Sequence, residues 1–301
     1  MKIKVLLNPY SNRWNAHKRW DEAETALRKA DVDFEMATSQ HADHLTELAA
    51  EAVQAGFDML VVAGGDGSIG EVINGAAQGW DEQHPFPVRL GLLPLGTAND
   101  LVDNVGLPTD LNAAANVIAG GKFRKLDLGI CNDRYFLNNS AAGLEPYVTT
   151  KQEKIKRISG VPRYLLAAVQ GILDRPEWQA QLEWDGGSYE GPLSLISVGN
   201  GRRTGGIFFM TPHADPFDGK LTFMHAYRKT RTGLFLALPH AMKVDAGNLA
   251  EQSDVYEIDC TRLRIRLDRP SPVHTDGELF DEWYTELTYR ILPACVEILT
   301  T

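Results

Sequence analysis

Two short stretches of the chain carry residue types suited to handling phosphate. The first reads Val61-Val62-Ala63-Gly64-Gly65-Asp66-Gly67-Ser68 and runs on through Glu71, Val72 and Ile73. Glycines between an apolar run and a helical stripe permit positive φ and let the backbone approach a bulky anion closely. The N–H groups of such a turn, with the start of the helix behind it, form an anion cradle. The pattern matches neither GxGxxG nor GxxxxGKS/T. Asp66 alone among the glycines repels a phosphate. It makes sense if it holds Mg2+ through water or orients a hydroxyl; the alternative is a tight turn in which Asp66 caps the helix. The second stretch, Leu93-Pro94-Leu95-Gly96-Thr97-Ala98-Asn99-Asp100, also follows an apolar run. Here Thr97 or Asn99 as a helix N-cap is the plainer alternative. Two such turns at the carboxyl ends of strands in one open sheet lie where α/β sheets bind ligands.

The surrounding elements follow from periodicity. Ile3 to Asn8 reads as a strand, and Trp20, Ala23, Leu27 and Ala30 recur at helical spacing. Val32, Phe34 and Met36 alternate as a strand ending at Thr38. Leu45, Leu48, Ala52 and Val53 mark a helix stopped by Gly56. Met59 to Ala63 and Leu90 to Leu93 are apolar runs suited to strands buried on both faces. Repeated βα units imply a parallel sheet covered by helices. Beyond Gly120-Gly121 the pattern changes. One helix is expected from about Glu153 to Leu173, and otherwise period-2 alternation prevails. In Arg262-Leu263-Arg264-Ile265-Arg266-Leu267 it puts the leucines and isoleucine on one face and the arginines on a solvated one. The predicted fold class is an α/β domain, Rossmann-like or phosphofructokinase-like, over residues 1–122, then a mainly antiparallel β-sandwich domain over 123–292.

Composition narrows the function classes. Of 301 residues 44% are hydrophobic, enough for a sizeable core, and the net charge of −10 argues against generic nucleic-acid binding. Cys131, Cys260 and Cys295 are widely spaced with no CxxC pair, which suggests reduced thiols in a cytosolic setting. The apolar start is too short for a signal peptide, and no run approaches the roughly 18 residues of a spanning helix. Lys151, Lys154, Lys156, Arg157 and Arg163 cluster with one acid, Glu153, and offer either a docking face for anionic lipid or a solvated helix face. The adjoining Val161, Tyr164, Leu165, Leu166 and Val169 read as core or as the lining of an acyl-chain cleft.

At this point the motifs resemble a known family. Gly64-Gly65-Asp66-Gly67-Ser68 with Glu71 to Ala76 behind it, and Pro94 to Asp100 with the downstream Gly106-Leu107-Pro108, are similar to the diacylglycerol kinase catalytic-domain family. The likeness is closest to the soluble bacterial YegS-like lipid kinases, themselves related to sphingosine kinases. Asn8 to Asn12, Leu126 to Gly129, Val198 to Gly206, Pro212 to Leu221 and Thr275 to Glu278 extend it over nearly the whole chain.

The resemblance implies an ATP- and Mg2+-dependent lipid kinase with its active site in a cleft between the two domains. Residues 293–301 return to the first domain. By motif position, Asn8, Thr38, Gly64, Gly65, Asp66, Gly67, Ser68, Glu71, Thr97, Asn99 and Asp100 bind the nucleotide. Glu278 takes the position of the general base, with Asp66 as the rival; by its own setting after Asp276-Gly277 it reads rather as an exposed hairpin glutamate, and only the resemblance reverses that. Asp215, Asp218 and Lys220 form a Mg2+ site, the first and last through backbone oxygens, while Asp66, Asp100 and Asp127 join an aspartate–water–Mg2+ network. Asn12 stands where the family has glycine, Ser68 where threonine is usual and Gly70 where asparagine is common. The expected partners are a lipid met transiently at a membrane surface and a second copy of the chain in a homodimer, with no nucleic acid. The expected location is cytoplasmic, at the inner face of the membrane. Two rivals stay open: a kinase of a soluble metabolite, NAD kinase-like, and a non-catalytic nucleotide- or lipid-binding protein.

Overall fold

The computed structural model describes residues 1–155, 158 and 161–301. The chain divides into two compact units, residues 1–128 with 293–301, and residues 129–292. In chain order the first unit contains β1 (Ile3–Leu7), α1 (Asn15–Lys29), β2 (Glu35–Thr38), α2 (His44–Gln54), β3 (Met59–Gly64), α3 (Asp66–Ala76), β4 (Arg89–Pro94), α4 (Asp100–Asn104), α5 (Leu111–Gly120) and most of β5 (Phe123–Cys131). Its sheet runs β2-β1-β3-β4, all parallel, and the chain's final stretch adds Ile298 beside Leu90. Val5, Leu7, Val61, Ala63 and Leu93 face α1 and α5 across a closed core. Leu6, Leu60 and Val62 alternate with them and are equally buried, so both sheet faces are covered. After β1 the chain builds β2 on one side, then crosses to add β3 and β4 on the other. The order therefore reverses between β1 and β3, which is the switch point of an open α/β sheet.

The second unit contains β6 (Arg134–Phe136), β7 (Asn139–Gly143), α6 (Leu144–Lys154), α7 (Val161–Asp174), β8 (Trp178–Trp184), β9 (Gly187–Leu193), β10 (Leu195–Gly199), β11 (Leu221–Ala226), α8 (Arg231–Ala241), β12 (Val255–Cys260), β13 (Arg262–Ser271), β14 (Val273–Thr275), β15 (Glu278–Leu279) and the first part of β16 (Tyr284–Leu299). One antiparallel sheet runs β12-β11-β10-β7-β14-β15. The other joins β16, β13, β8 and β9. Ala142, Ile196, Val198 and Phe223 of the first sheet meet Leu182, Leu263, Ile265 and Leu287 of the second in one core. Leu263, Ile265 and Leu267 are buried, Arg262 and Arg264 exposed, as the alternation requires. The fold is thus an α/β unit followed by a β-sandwich-like unit.

One expectation needs correction. Glu153 to Leu173 is not a single helix: α6 already begins at Leu144 and ends at Lys154, and α7 begins at Val161. Pro162 lies in the first turn of α7, the helical position where a residue without an N–H costs nothing, so it starts a helix and does not continue one. Lys156 and Arg157 lie outside the described residues. No helix among the described residues is long and apolar enough to cross a membrane.

Candidate active site

In the first unit the two glycine turns touch. A Cβ on Gly96 would stand 2.4 Å from the Gly65 Cα, and one on Gly65 3.0 Å from the Gly96 Cα. The backbones cross at a separation no side chain allows, pinned by the Leu95 N–H donating to the Gly64 carbonyl at 3.1 Å. Asn99, in the left-handed conformation (φ 50°), folds back on the same turn: its Oδ1 accepts from Gly96 N at 3.0 Å and its Nδ2 donates to Gly96 O at 3.2 Å. It therefore occupies the N-cap position of α4 without capping it. That work falls to Asp66, the first residue of α3, whose Oδ1 accepts the Leu101 N–H at 3.0 Å. Asp66 thus binds the second turn to the first, an arrangement different from the self-capping alternative read in the sequence.

Several other expected residues gather at this end of the sheet. Asn8, directly after β1, donates through Nδ2 to Ser68 Oγ at 2.9 Å, and Ser11 Oγ lies 3.2 Å from the same hydroxyl. A Cβ on Gly64 would reach within 2.5 Å of Ser68 Oγ, so that glycine keeps the hydroxyl in place. Asn12 adopts φ 51°, the left-handed conformation of the glycine it replaces, and its Oδ1 accepts from Thr97 Oγ1 at 3.1 Å. Asp100 is buried at the start of α4. Thr38 sits at the end of β2 beside Leu7. Glu71 points toward the start of α2, where its carboxylate accepts the Leu45 N–H at 3.2 Å. Asp127 does not join them: it accepts the Ala294 N–H at 2.6 Å, and Ala294 precedes by four residues Ile298, which registers with Leu90 at the start of β4, the end of that strand away from Gly96. Sequence reasoning passed over His41, His44 and Glu47, whose ligating atoms lie within 4.8 Å of one another.

The donor set suits the expected cation. Mg2+ takes oxygen ligands and keeps several waters, and Asp66 and Asp100 supply carboxylates beside a turn whose backbone N–H groups and helix start favour an anion. This end of the unit can therefore seat a phosphate chain and the ion that neutralises it.

In the second unit Asp276 and Gly277 form a two-residue hairpin turn between β14 and β15, both at positive φ (49° and 85°). Asp276 is buried, and its two oxygens accept the N–H groups of Leu137, Asn138 and Asn139 at 2.8–3.0 Å. Glu278, beyond the turn, presents an exposed side chain from β15. The structural role of Asp276 was hidden in the sequence, where an Asp before Gly signals only a turn.

The Asp215–Lys220 segment is an acid-rich turn. Asp215 Oδ1 accepts from Phe217 N at 3.1 Å, Asp218 Oδ1 from Lys220 N at 2.9 Å, and Lys220 Nζ reaches Asp259 at 3.3 Å. Desolvation raises the Asp218 carboxyl above its ordinary value, with Asp215 and Asp259 pushing the same way and Lys220 opposing. An oxygen-rich, negative turn of this kind also fits a hard cation.

The second unit encloses an apolar cavity of about 100 Å3 between its six-stranded sheet and helices α6, α7 and α8. Val148, Phe208, Met210, Leu234 and Leu238 line it. Tyr164 also lines it and Leu165 packs alongside the core, whereas Leu166 is exposed and fits neither alternative read in the sequence.

An α/β unit with paired glycine turns at the carboxyl ends of its strands, followed by a β-sandwich-like unit, is the build of a class of phosphotransferases. Residues 2–131 match the model of the diacylglycerol kinase catalytic domain, and residues 139–300 that of the YegS C-terminal NAD kinase β-sandwich-like domain. A diacylglycerol kinase of Staphylococcus carnosus is 30% identical over 278 residues, 92% of this chain and 88% of that protein. One from Staphylococcus aureus is 29% identical over 224 residues, 74% of this chain and 70% of the relative. The crystal structure of a diacylglycerol kinase from Bacillus anthracis superposes with a TM-score of 0.75 over 100% of this chain and 97% of that one, at 20% identity. The chain belongs to the diacylglycerol kinase family, a family of lipid kinases.

Proposed function

We propose that this lipid kinase transfers the γ-phosphate of ATP, bound with Mg2+, to a hydroxyl of diacylglycerol or a related lipid. The observation that carries the reading is the contact of Gly65 with Gly96, which locks the glycine turns after β3 and β4 together with Asp66 bridging them. Gly64, Gly65 and Gly67 with Ser68 form the phosphate cradle, Asn8 orients Ser68, and Thr97, Asn99 and Asp100 shape the second wall. Thr38 and Glu71 complete the nucleotide pocket. Asp66 and Asp100 would hold Mg2+ there, and Asp215, Asp218 and Lys220 would hold another ion in the second unit. Mg2+ supplies neutralisation of the phosphate oxygens, the main demand of phosphoryl transfer. Glu278 takes the proton of the attacking hydroxyl, a role that needs an accessible carboxylate; Asp66 is the alternative base.

The enzyme works from the cytoplasm at the inner face of the membrane. Support comes from α7 and α8, which line the apolar cavity with one face and expose Leu166, Leu173, Phe235 and Leu236 on the other. The apolar cavity also favours a lipid over a soluble metabolite as acceptor.

Labelled ATP incubated with extracted lipids, and in parallel with NAD and sugar phosphates, tests the assignment once the product is identified by mass spectrometry. Label is expected on a neutral lipid alone. Glu278→Gln and Asp66→Asn should each lower kcat by about 10²- to 10⁴-fold with the fold intact. Label on NAD, or full activity in both variants, would overturn the reading.

A further inference from the structure

Beside the apolar cavity of the second unit lies a row of buried polar atoms that neither sandwich packing nor the proposed transfer chemistry employs. Glu145, the second residue of α6, lines the cavity. Its Oε1 faces His274 Nε2 at 3.2 Å and accepts from Asn139 Nδ2 at 3.4 Å. Its Oε2 is buried and, among the described residues, receives no hydrogen bond. The same is true of His274 Nδ1 and of Ser197 Oγ. Buried polar atoms are rarely left this way, because each loses its hydration without recompense.

Strand register places these atoms together. His274 on β14 pairs with Ala141 on β7, and Ala141 pairs with Ser197 on β10. Their neighbours Val273, Ala142, Ile196 and Val198 face the sandwich core, so His274, Ala141 and Ser197 face the side covered by α6. Two strand spacings put the His274 and Ser197 backbones about 10 Å apart. Only the methyl of Ala141 stands between them, with Glu145 reaching over from α6.

The chemistry of the row specifies what it receives. In the tautomer that donates from Nε2 to the carboxylate, His274 Nδ1 is an acceptor. Glu145 Oε2 is a second acceptor, and Ser197 can give or accept. A ligand must therefore bring hydrogen-bond donors, and a buried carboxylate repels a phosphate. Next to the row the surface is hydrocarbon.

We infer, on the footing that the substrate is a lipid as proposed above, that this row reads the free hydroxyl of a neutral acyl lipid whose chain enters the cavity. Glu145 is the specificity-determining residue, and it disfavours the phosphorylated product. The site accepts the alcohol, rejects the same lipid with its hydroxyl capped, and rejects the phosphomonoester.

Equilibrium binding in the absence of nucleotide tests this, with dioctanoylglycerol, its methyl ether and the corresponding phosphomonoester as probes. The wild type should bind the alcohol at least about tenfold more tightly than either analogue, since a site built to hydrogen-bond a hydroxyl rejects ligands that lack it. Glu145→Gln should bring the three within about threefold of one another, and Ser197→Ala, which removes only an unpaired hydroxyl, should narrow the gap less. Ala237→Phe, which fills the cavity, should weaken all three and leave their ratios unchanged. Equal binding of the three probes by the wild type, or an undiminished preference in both Glu145→Gln and Ser197→Ala, overturns the inference. A preference that follows Glu145 in a protein that phosphorylates no lipid supports the inference and removes the kinase reading. Lipid phosphorylation with no binding preference does the reverse.

Discussion

Gly96 shows at the scale of one residue how the site depends on backbone contact. A methyl group there meets the Gly65 Cα at 2.4 Å and Asn99 Oδ1 at 2.6 Å, and the first of these is backbone that cannot swing aside. Gly96→Ala must therefore push the two turns apart. We expect a stability loss of about 1–3 kcal/mol, typical of overpacking, and a fall in kcat of about 100-fold, since displacements near 1 Å cost that much in a positioned site. Gly120→Ala, at the end of α5, is the control: nothing lies within 4 Å of its added methyl, so activity should stay at the wild-type value and stability should not fall. Kinase assays and thermal melts of the two variants decide it, and wild-type activity in Gly96→Ala would show that the turns do not need to touch. The identity of these glycines stood out in the sequence because their spacing after apolar runs is a local signal. The bond from Asp66 to Leu101 was not readable there, since it joins residues 35 apart through a tertiary contact. Glu145 gave no signal either: a glutamate in the first turn of a helix is ordinary, and only strand register reveals the row beneath it.

At the scale of elements, strands were legible where one face is wet and the other buried, as in β13, and helices where the apolar stripe is clean, as in α1. α8 was not. Its sequence, Arg-Thr-Gly-Leu-Phe-Leu-Ala-Leu-Pro-His-Ala, contains Gly233 and Pro239, which oppose a helix, and its apolar residues are spread around the axis. That spread becomes intelligible if one side lines the cavity and the other meets a membrane. Leu236 is 68% exposed, an unusual state for leucine on a helix. Two members of the basic cluster read in the sequence are engaged within the protein: Lys151 pairs with Asp174 at 2.6 Å and Arg163 donates to the Gln152 carbonyl. For the docking proposed above, apolar contact is therefore expected to outweigh charge. Leu236→Glu should weaken co-sedimentation with vesicles containing anionic lipid by about tenfold or more, the transfer value of one leucine side chain. Its melting temperature and its activity on a dispersed short-chain diacylglycerol should not change. Undiminished vesicle binding would remove α8 from the docking surface.

For the whole molecule, the chain leaves the α/β unit at Leu128 and re-enters it at Pro293. The returning segment is tied in at four points: Asp127 accepts Ala294 N at 2.6 Å, Arg89 pairs with Glu297 at 2.6 Å, Ile298 registers with Leu90, and Thr300 N donates to Lys122 O at 3.0 Å. Val296, Ile298 and Leu299 are almost wholly buried. At about 1.5–3 kcal/mol for each buried aliphatic side chain, their loss removes on the order of 5 kcal/mol, as much as the entire stability of many domains. A chain ended after Leu292 should therefore lose the cooperative melting of its α/β unit together with nucleotide binding, because the glycine turns sit on that sheet. The second unit's sandwich, whose strands contribute no residue to this segment beyond β16, should melt near its original temperature. Calorimetry with and without ATP separates the two transitions. An α/β transition at the full-length temperature in the shortened chain would mean that the returning strand decorates the sheet and does not hold it.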